Sequence, residues 1–158
     1  ATLGEFKVQA MAKRLFEINP HLRLNLVTEC FSQETLTLLD CNYSYILDAS
    51  DTVKHKIVLI SEAKKREIPI ISAMGAGNKL DPTQFRVVNL RDTYNCPLAR
   101  IVRRELRKQG IGTELEVVFS PELPKGQGSV VGTISFVPPV CGFILAGSAI
   151  NRLLGENK

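Results

Sequence analysis

The run Tyr45-Ile46-Leu47-Asp48-Ala49-Ser50-Asp51-Thr52-Val53 constrains the fold more than any other stretch of the chain. A short apolar run ends in two carboxylates, and a helical pattern starts at once. A buried parallel strand delivers acidic side chains to the rim of an α/β sheet in this way, and ligands bind at that rim. Asp51 also stands where a helix N-cap is expected. On the residues alone, two readings stay open: a metal or nucleotide site, or a well-capped helix.

The rest of the chain agrees with an α/β protein. Val8, Met11, Ala12 and Leu15 recur at i, i+3, i+4 and i+7, one face of a helix that Asn19-Pro20 ends. Leu22, Leu24 and Leu26 alternate with polar residues and predict a half-buried strand. Ser32 is expected to cap a short helix to Leu39. After the Tyr45–Leu47 strand, a helix is expected over Asp51–Glu67, with Val53, Ile57 and Ile60 inward and Lys64, Lys65 and Arg66 suiting its C-terminal dipole. Ile68–Ile71 and Phe85–Val88 predict strands. Pro97 suits the first turn of a helix that runs to Lys108 and stops at Gly110. Leu115–Phe119 and Gly132–Val137 predict two more strands, joined by an exposed linker over Ser120–Ser129. Gly142–Leu154 predicts a nearly apolar helix buried against the sheet. Early alternation argues for parallel βαβ units, and the later strand pairs argue for antiparallel strands in a mixed sheet.

At 158 residues the chain suits one domain with a real core. Its 44% hydrophobic and 23% charged content argue against disorder. No apolar run approaches the ~20 residues of a membrane span, and no signal peptide is visible. Cys30, Cys41, Cys96 and Cys141 form no Cys-x-x-Cys pair, so reduced thiols of a cytoplasmic protein are expected rather than a structural zinc site. The net charge of +4 permits an anionic partner without demanding one.

Four segments carry a resemblance: Leu47-Asp-Ala-Ser-Asp-Thr-Val, Ile71-Ser-Ala-Met-Gly-Ala-Gly-Asn-Lys-Leu-Asp-Pro-Thr, Pro97-Leu-Ala-Arg-Ile-Val-Arg-Arg-Glu-Leu-Arg and Gly132-Thr-Ile-Ser-Phe-Val-Pro-Pro-Val. Together the chain resembles the ThiF/MoeB/HesA group, bacterial relatives of ubiquitin-activating enzymes, and within it the tRNA threonylcarbamoyladenosine dehydratase branch. The resemblance implies a Rossmann-like ThiF-type fold. It also implies an enzyme that uses ATP and Mg²⁺ to adenylate a carboxylate. In that branch the target is the threonine carboxylate of a modified adenosine beside the tRNA anticodon, and loss of AMP closes a ring. By resemblance Lys7 contacts the ATP phosphates, Asp51 holds magnesium, and Ser50 and Thr52 flank the nucleotide. A lysine neutralises developing phosphate charge, and a carboxylate oxygen is a hard ligand for Mg²⁺.

The chain departs from the family pattern in one respect. The family's Gly-x-Gly-Gly-x-Gly turn, whose backbone N–H groups cradle phosphate, has no counterpart in the sequence, and Gly75-Ala76-Gly77 is a poor substitute. Residues 1–158 are therefore expected to be the C-terminal part of a single ThiF-type activating domain, weak or inert toward ATP alone. Exposed sheet edges are expected to be filled in a homodimer or another strand-sharing oligomer.

Other residues remain candidates. Arg100, Arg104 and Arg107 lie at i, i+4 and i+7 and, with Arg103, form a basic stripe suited to RNA phosphates; a solvated amphipathic face is the plain alternative. Gly75, Gly77, Lys79 and Asp81 follow a strand end and fit either a binding loop or a tight turn. Cys96 invites comparison with a thioester cysteine, whereas Cys141 is expected to be an inert buried thiol. Two alternative functions stand beside the dehydratase: adenylation of a ubiquitin-like sulfur-carrier protein, with a sulfur-transfer protein as partner, and a non-catalytic interaction domain.

Overall fold

The computed structural model describes residues 3–125 and 131–155. It divides into two units, residues 1–31 and 32–158. In the first, α1 (Lys7–Ile18) forms over the expected span, with Ala12 buried. The alternating leucines do not form a strand. Leu22 and Leu24 are half-buried, Leu26 is exposed, and the segment joins no ladder among the described residues, Leu22 N–H donating only to the Asn19 carbonyl at 3.3 Å. Alternation reports which side chains turn inward, but a strand also needs a ladder partner, and none is present among the described residues.

In the second unit a four-stranded sheet has the order β1-β2-β4-β3, with β1 (Ile46–Asp48), β2 (Ile70–Ala73), β3 (Arg86–Asn89) and β4 (Glu116–Phe119). β1, β2 and β4 run parallel, and β3 pairs antiparallel with β4. Successive residues of a strand face opposite sides, so Val117 and Phe119 meet one face while Val118 meets the other. On the first face lie α2 (Val53–Lys65) and α3 (Pro97–Lys108), closing over Ile57, Ile60, Val102 and Leu106. On the other lies α4 (Val137–Leu153), which contributes Val137, Cys141, Leu145 and Ala149. Each fully buried aliphatic side chain here is worth ~1.5–3 kcal/mol over exposure. Before the sheet, the 3₁₀ helix Gln33–Leu39 is capped by Ser32 in a reciprocal bond with Thr35, as the serine predicted.

Two further expectations fail. Gly132–Val137 is not a strand. Gly132 exchanges both backbone groups with Asn78 instead of joining a ladder, its N–H reaching the Asn78 side chain at 2.7 Å and its carbonyl accepting from Asn78 N at 2.8 Å. Pro138 and Pro139 then fit the first turn of α4, where a missing N–H costs nothing. The linker after β4 is not wholly exposed either, since Ser120 and Glu122 are buried; its residues 126–130 lie outside the described part. α4 is also only partly covered, with Phe143 76% exposed.

Candidate functional site

The two carboxylates of the opening run have separate fates. Asp48 ends β1 facing inward and is 2% exposed. Its Oδ2 accepts from Lys56 Nζ at 2.5 Å and from Ser72 Oγ at 2.6 Å, while its Oδ1 accepts from Ser50 N at 3.0 Å and Ser50 Oγ at 2.7 Å. Lys56, completely buried on α2, spends its other protons on Ser72 Oγ at 3.1 Å and the Ala73 carbonyl at 3.0 Å. Every donor of the ammonium is satisfied, as a buried charge requires. The network ties the C-terminal ends of β1 and β2 together and fixes the turn through Ser50. Asp51 lies beyond it, exposed. The N-cap of α2 is Thr52, and no side chain caps that helix. The expected capping role of Asp51 is thus corrected: the turn pinned by Asp48 moves the helix start one residue on, and the Asp51 carboxylate is not spent on α2.

Asp51 opens onto a cleft of about 640 Å³ at the C-terminal ends of the parallel strands. The cleft also receives Ser50, Gly75, Gly77, Lys79 and Cys96, so most of the scattered candidates converge. Gly77 and Asn78 form a turn, but it does not need a glycine's conformational freedom. Neither Gly75 nor Gly77 has positive φ, and the left-handed residue is Asn78 at φ 57. A Cβ on Gly77 would stand 2.2 Å from a Val131 methyl, so the glycine serves close packing. Lys79 is 2% exposed and donates to the Ser120 carbonyl at 2.9 Å and the Glu122 carbonyl at 2.5 Å. The Glu122 carboxylate in turn accepts from Leu80 N at 3.1 Å and Asp81 N at 3.0 Å. Lys79 and Glu122 thereby staple the loop after β2 to the loop after β4. Burial pushes the Lys79 ammonium below the ordinary lysine range, against the opposing pull of Cys96 and Glu122. Cys96 is the N-cap residue of α3, buried, with no side-chain cap bond.

Other candidates stand apart from the cleft, except Cys141, which lines it. Asp81 caps the short 3₁₀ helix Pro82–Gln84, accepting from the Thr83 hydroxyl at 2.5 Å, Gln84 Nε2 at 2.9 Å and Thr83 N at 3.0 Å, and these bonds, the hydroxyl's foremost, hold its carboxyl below the usual range. Thr52 is exposed and outside the cleft lining. Lys7 begins α1 in the first unit, exposed beside Glu5, Met11 and Arg14. On α3, Arg103 departs from the stripe: it donates to the Leu90 carbonyl at 3.2 Å, the Thr93 carbonyl at 2.8 Å and the Thr93 hydroxyl. Arg100, Arg104 and Arg107 remain exposed. Cys141 is buried and its thiol is pushed up to about 11 by desolvation, as an inert core thiol should be.

Sequence reasoning missed Lys56 and Glu122. Lys56 had a signal, because it falls on the inward stripe Val53–Ile57–Ile60, where a charge demands a buried partner. Glu122 had none, since its partners are backbone amides some 40 residues away in sequence.

A mixed sheet flanked by helices on both faces, with a cleft outside the carboxyl ends of its parallel strands, defines a Rossmann-like ligand-binding protein. The chain belongs to the ThiF family, whose model matches residues 1–158. It is 37% identical over 175 residues to the tRNA threonylcarbamoyladenosine dehydratase of Bacillus subtilis, covering 99% of this chain and 69% of that protein. Its structure is similar to that of Escherichia coli tRNA N6-threonylcarbamoyladenosine dehydratase in complex with AMP, at a TM-score of 0.89 and 29% identity, over 97% of this chain and 66% of that one. The likeness to the same enzyme in complex with ATP has a TM-score of 0.90 at 29% identity, over 97% and 65%. The chain therefore spans about two thirds of the length of these relatives.

Proposed function

We propose that this chain is part of an ATP-dependent tRNA threonylcarbamoyladenosine dehydratase, and that residues 1–158 belong to a single ThiF-type activating domain. The observation that carries the reading is the cleft at the carboxyl ends of β1, β2 and β4, in a fold shared with AMP-bound and ATP-bound relatives. A substrate carboxylate oxygen attacks the α-phosphorus of ATP and pyrophosphate leaves. A nucleophile within the threonylcarbamoyl group then attacks the acyl carbon, and AMP departs as the ring closes. Water is lost from the substrate at the expense of ATP. Ser50 and Asp51 form a polar rim of the cleft, Asp51 supplying its carboxylate, and Thr52 follows as the N-cap of α2.

Asp51 would hold a magnesium ion brought in with a nucleotide. It is one exposed carboxylate, and Mg²⁺ in nucleotide sites takes one or two carboxylates with phosphate and water. Asp48 is not a second ligand, because both its oxygens already accept two hydrogen bonds each. Bound there, the ion would draw charge from the phosphate oxygens. Lys7 is assigned to the phosphates on resemblance alone. The tRNA contact falls to Arg100, Arg104 and Arg107, while Arg103 positions the loop beside them.

The expected oligomer is supported by β1, an edge strand, and by the exposed apolar residues Phe143, Ile150 and Leu153 of α4. Light scattering of the product of the complete open reading frame tests it: a monomer at micromolar concentration would end the idea. The function is tested on the same product by AMP release with threonylcarbamoyladenosine-containing tRNA. Asp51→Asn is expected to lower turnover by roughly 10²–10³-fold, the size of losing one electrostatic group at a transition state, with the melting temperature unchanged. Full turnover by the variant would refute the assignment of Asp51, and absence of tRNA-dependent AMP from the wild type would refute the function.

A further inference from the structure

On the α3 side of the sheet, an aromatic side chain stands half out of the protein and is held there by its neighbours. Tyr94 is 50% exposed. Its ring meets Phe119 edge-on, with centroids 5.7 Å apart and planes at 72°. Arg86, on edge strand β3, places its guanidinium carbon 5.8 Å from the Tyr94 centroid and 5.5 Å from that of Phe119, and donates to the Tyr94 hydroxyl. The backbone on both sides is anchored as well. Arg103 holds the Thr93 carbonyl, and the Asn95 amide donates to the Pro121 carbonyl at 3.1 Å. An exposed aromatic fixed in this way has already lost the rotamer freedom that a binding partner would otherwise have to remove.

The surroundings select the partner. A helix turns about 100° per residue. Measured from Arg103, which faces the loop before Tyr94, Arg107 and Arg100 project about 40° and 60° around α3, away from buried Leu106 and Ala99. Two exposed arginines thus border the segment that carries Tyr94. Only one residue separates Tyr94 from Cys96, which lines the cleft. A π-face beside cations, two residues along the chain from a cleft-lining residue, matches an unpaired nucleotide in both base and phosphate.

We propose that Tyr94 and Arg86 form a stacking platform for an unpaired base of single-stranded RNA next to the nucleotide that enters the cleft, with Arg100 and Arg107 taking the adjoining phosphates. The proposal rests on the tRNA reading above and gives that substrate a place to dock. A base within a duplex is already stacked and cannot use the platform, so the surface favours a hairpin loop over a helix.

The test uses the product of the complete open reading frame, with labelled RNA probes of two kinds: a hairpin with an unpaired loop, and a duplex of equal length. Tyr94→Leu keeps apolar bulk against Phe119 and removes the π-face; Tyr94→Phe keeps it. Tyr94→Leu is expected to weaken hairpin binding roughly tenfold, within the range for loss of one stacked base, while duplex binding and ATP binding hold. Tyr94→Phe is expected to stay within about twofold of wild type on the hairpin, as hydrogen bonding by the hydroxyl is not what the base reads. Hairpin binding by Tyr94→Leu equal to wild type, or an equal loss on both probes, overturns the platform while leaving the tRNA reading intact. A wild type that binds neither probe overturns both.

Discussion

Lys56 joins the core to the rim of the cleft, and replacing it with methionine measures that joint. Methionine keeps the unbranched stem and removes the ammonium. The Asp48 side chain, 1% exposed, would keep its bonds from Ser50 and Ser72 but lose its counter-charge. Removing one partner of a buried ion pair costs about 3–5 kcal/mol. The surviving hydrogen bonds still favour the carboxylate, so the low end applies, about 3 kcal/mol. For a domain of about 150 residues each kcal/mol moves the melting temperature by about 2–4 °C, which places the expected fall at about 6–12 °C. Asp48→Asn should cost a similar amount, because it strands the ammonium. The double variant strands neither charge and should be more stable than the sum of the single losses implies, by at least about 1.5 kcal/mol. Thermal or urea unfolding of wild type, both singles and the double completes the cycle. Additive losses, or a Lys56→Met variant within about 0.5 kcal/mol of wild type, would refute a coupled buried pair.

The divided stripe on α3 predicts divided phenotypes. Arg103→Ala should lose about 1.5–3 kcal/mol of stability with its charged bonds to the 90–93 segment, whereas Arg104→Glu, which gives up only a surface pair with Glu105, and Arg107→Glu should each cost no more than about 1 kcal/mol and flatten the salt dependence of tRNA binding. A stable Arg103→Ala or an unaltered salt slope would contradict this. Cys30 and Cys41 are exposed and should react with a thiol reagent in the native protein, while Cys96 and Cys141 should wait for unfolding. Burial raises the Cys141 pKa from 9.0 to about 11, so the native state holds that proton while an unfolded chain releases it. The associated stability is complete below pH ~9 and falls by up to about 2–3 kcal/mol as pH rises toward ~11; a Cys141→Ala variant should lose that part of the alkaline slope, and an unchanged slope would disprove it. Gly77→Ala meets the methyl of Val131, which is 68% exposed and can turn away, so stability should change by less than about 1 kcal/mol, and a larger loss would show that the methyl is held in place.

What the sequence disclosed and what it hid divide along a physical line. Local signals carried the helices: the α3 span from Pro97 to Lys108 follows from a proline at its start and a glycine in the left-handed region, Gly110 at φ 69, just past its end. Runs of apolar residues carried the parallel strands, because a strand buried on both faces needs no partner in the pattern to be recognised. The failures are segments whose conformation is decided elsewhere. Leu22–Leu26 alternates correctly but has no ladder partner among the described residues, and Gly132 is claimed by Asn78, 54 residues away in sequence. The site divides in the same way. Asp51 was visible because a carboxylate after a strand is a one-dimensional signal. That Asp48 beside it is neutralised by Lys56 depends on α2 folding back over β1 and β2, which no spacing within the run expresses. The charge that counts at the cleft is therefore set by tertiary pairing. Of two aspartates three residues apart, the one with partners supports the fold, and the exposed one is free for the magnesium role proposed above.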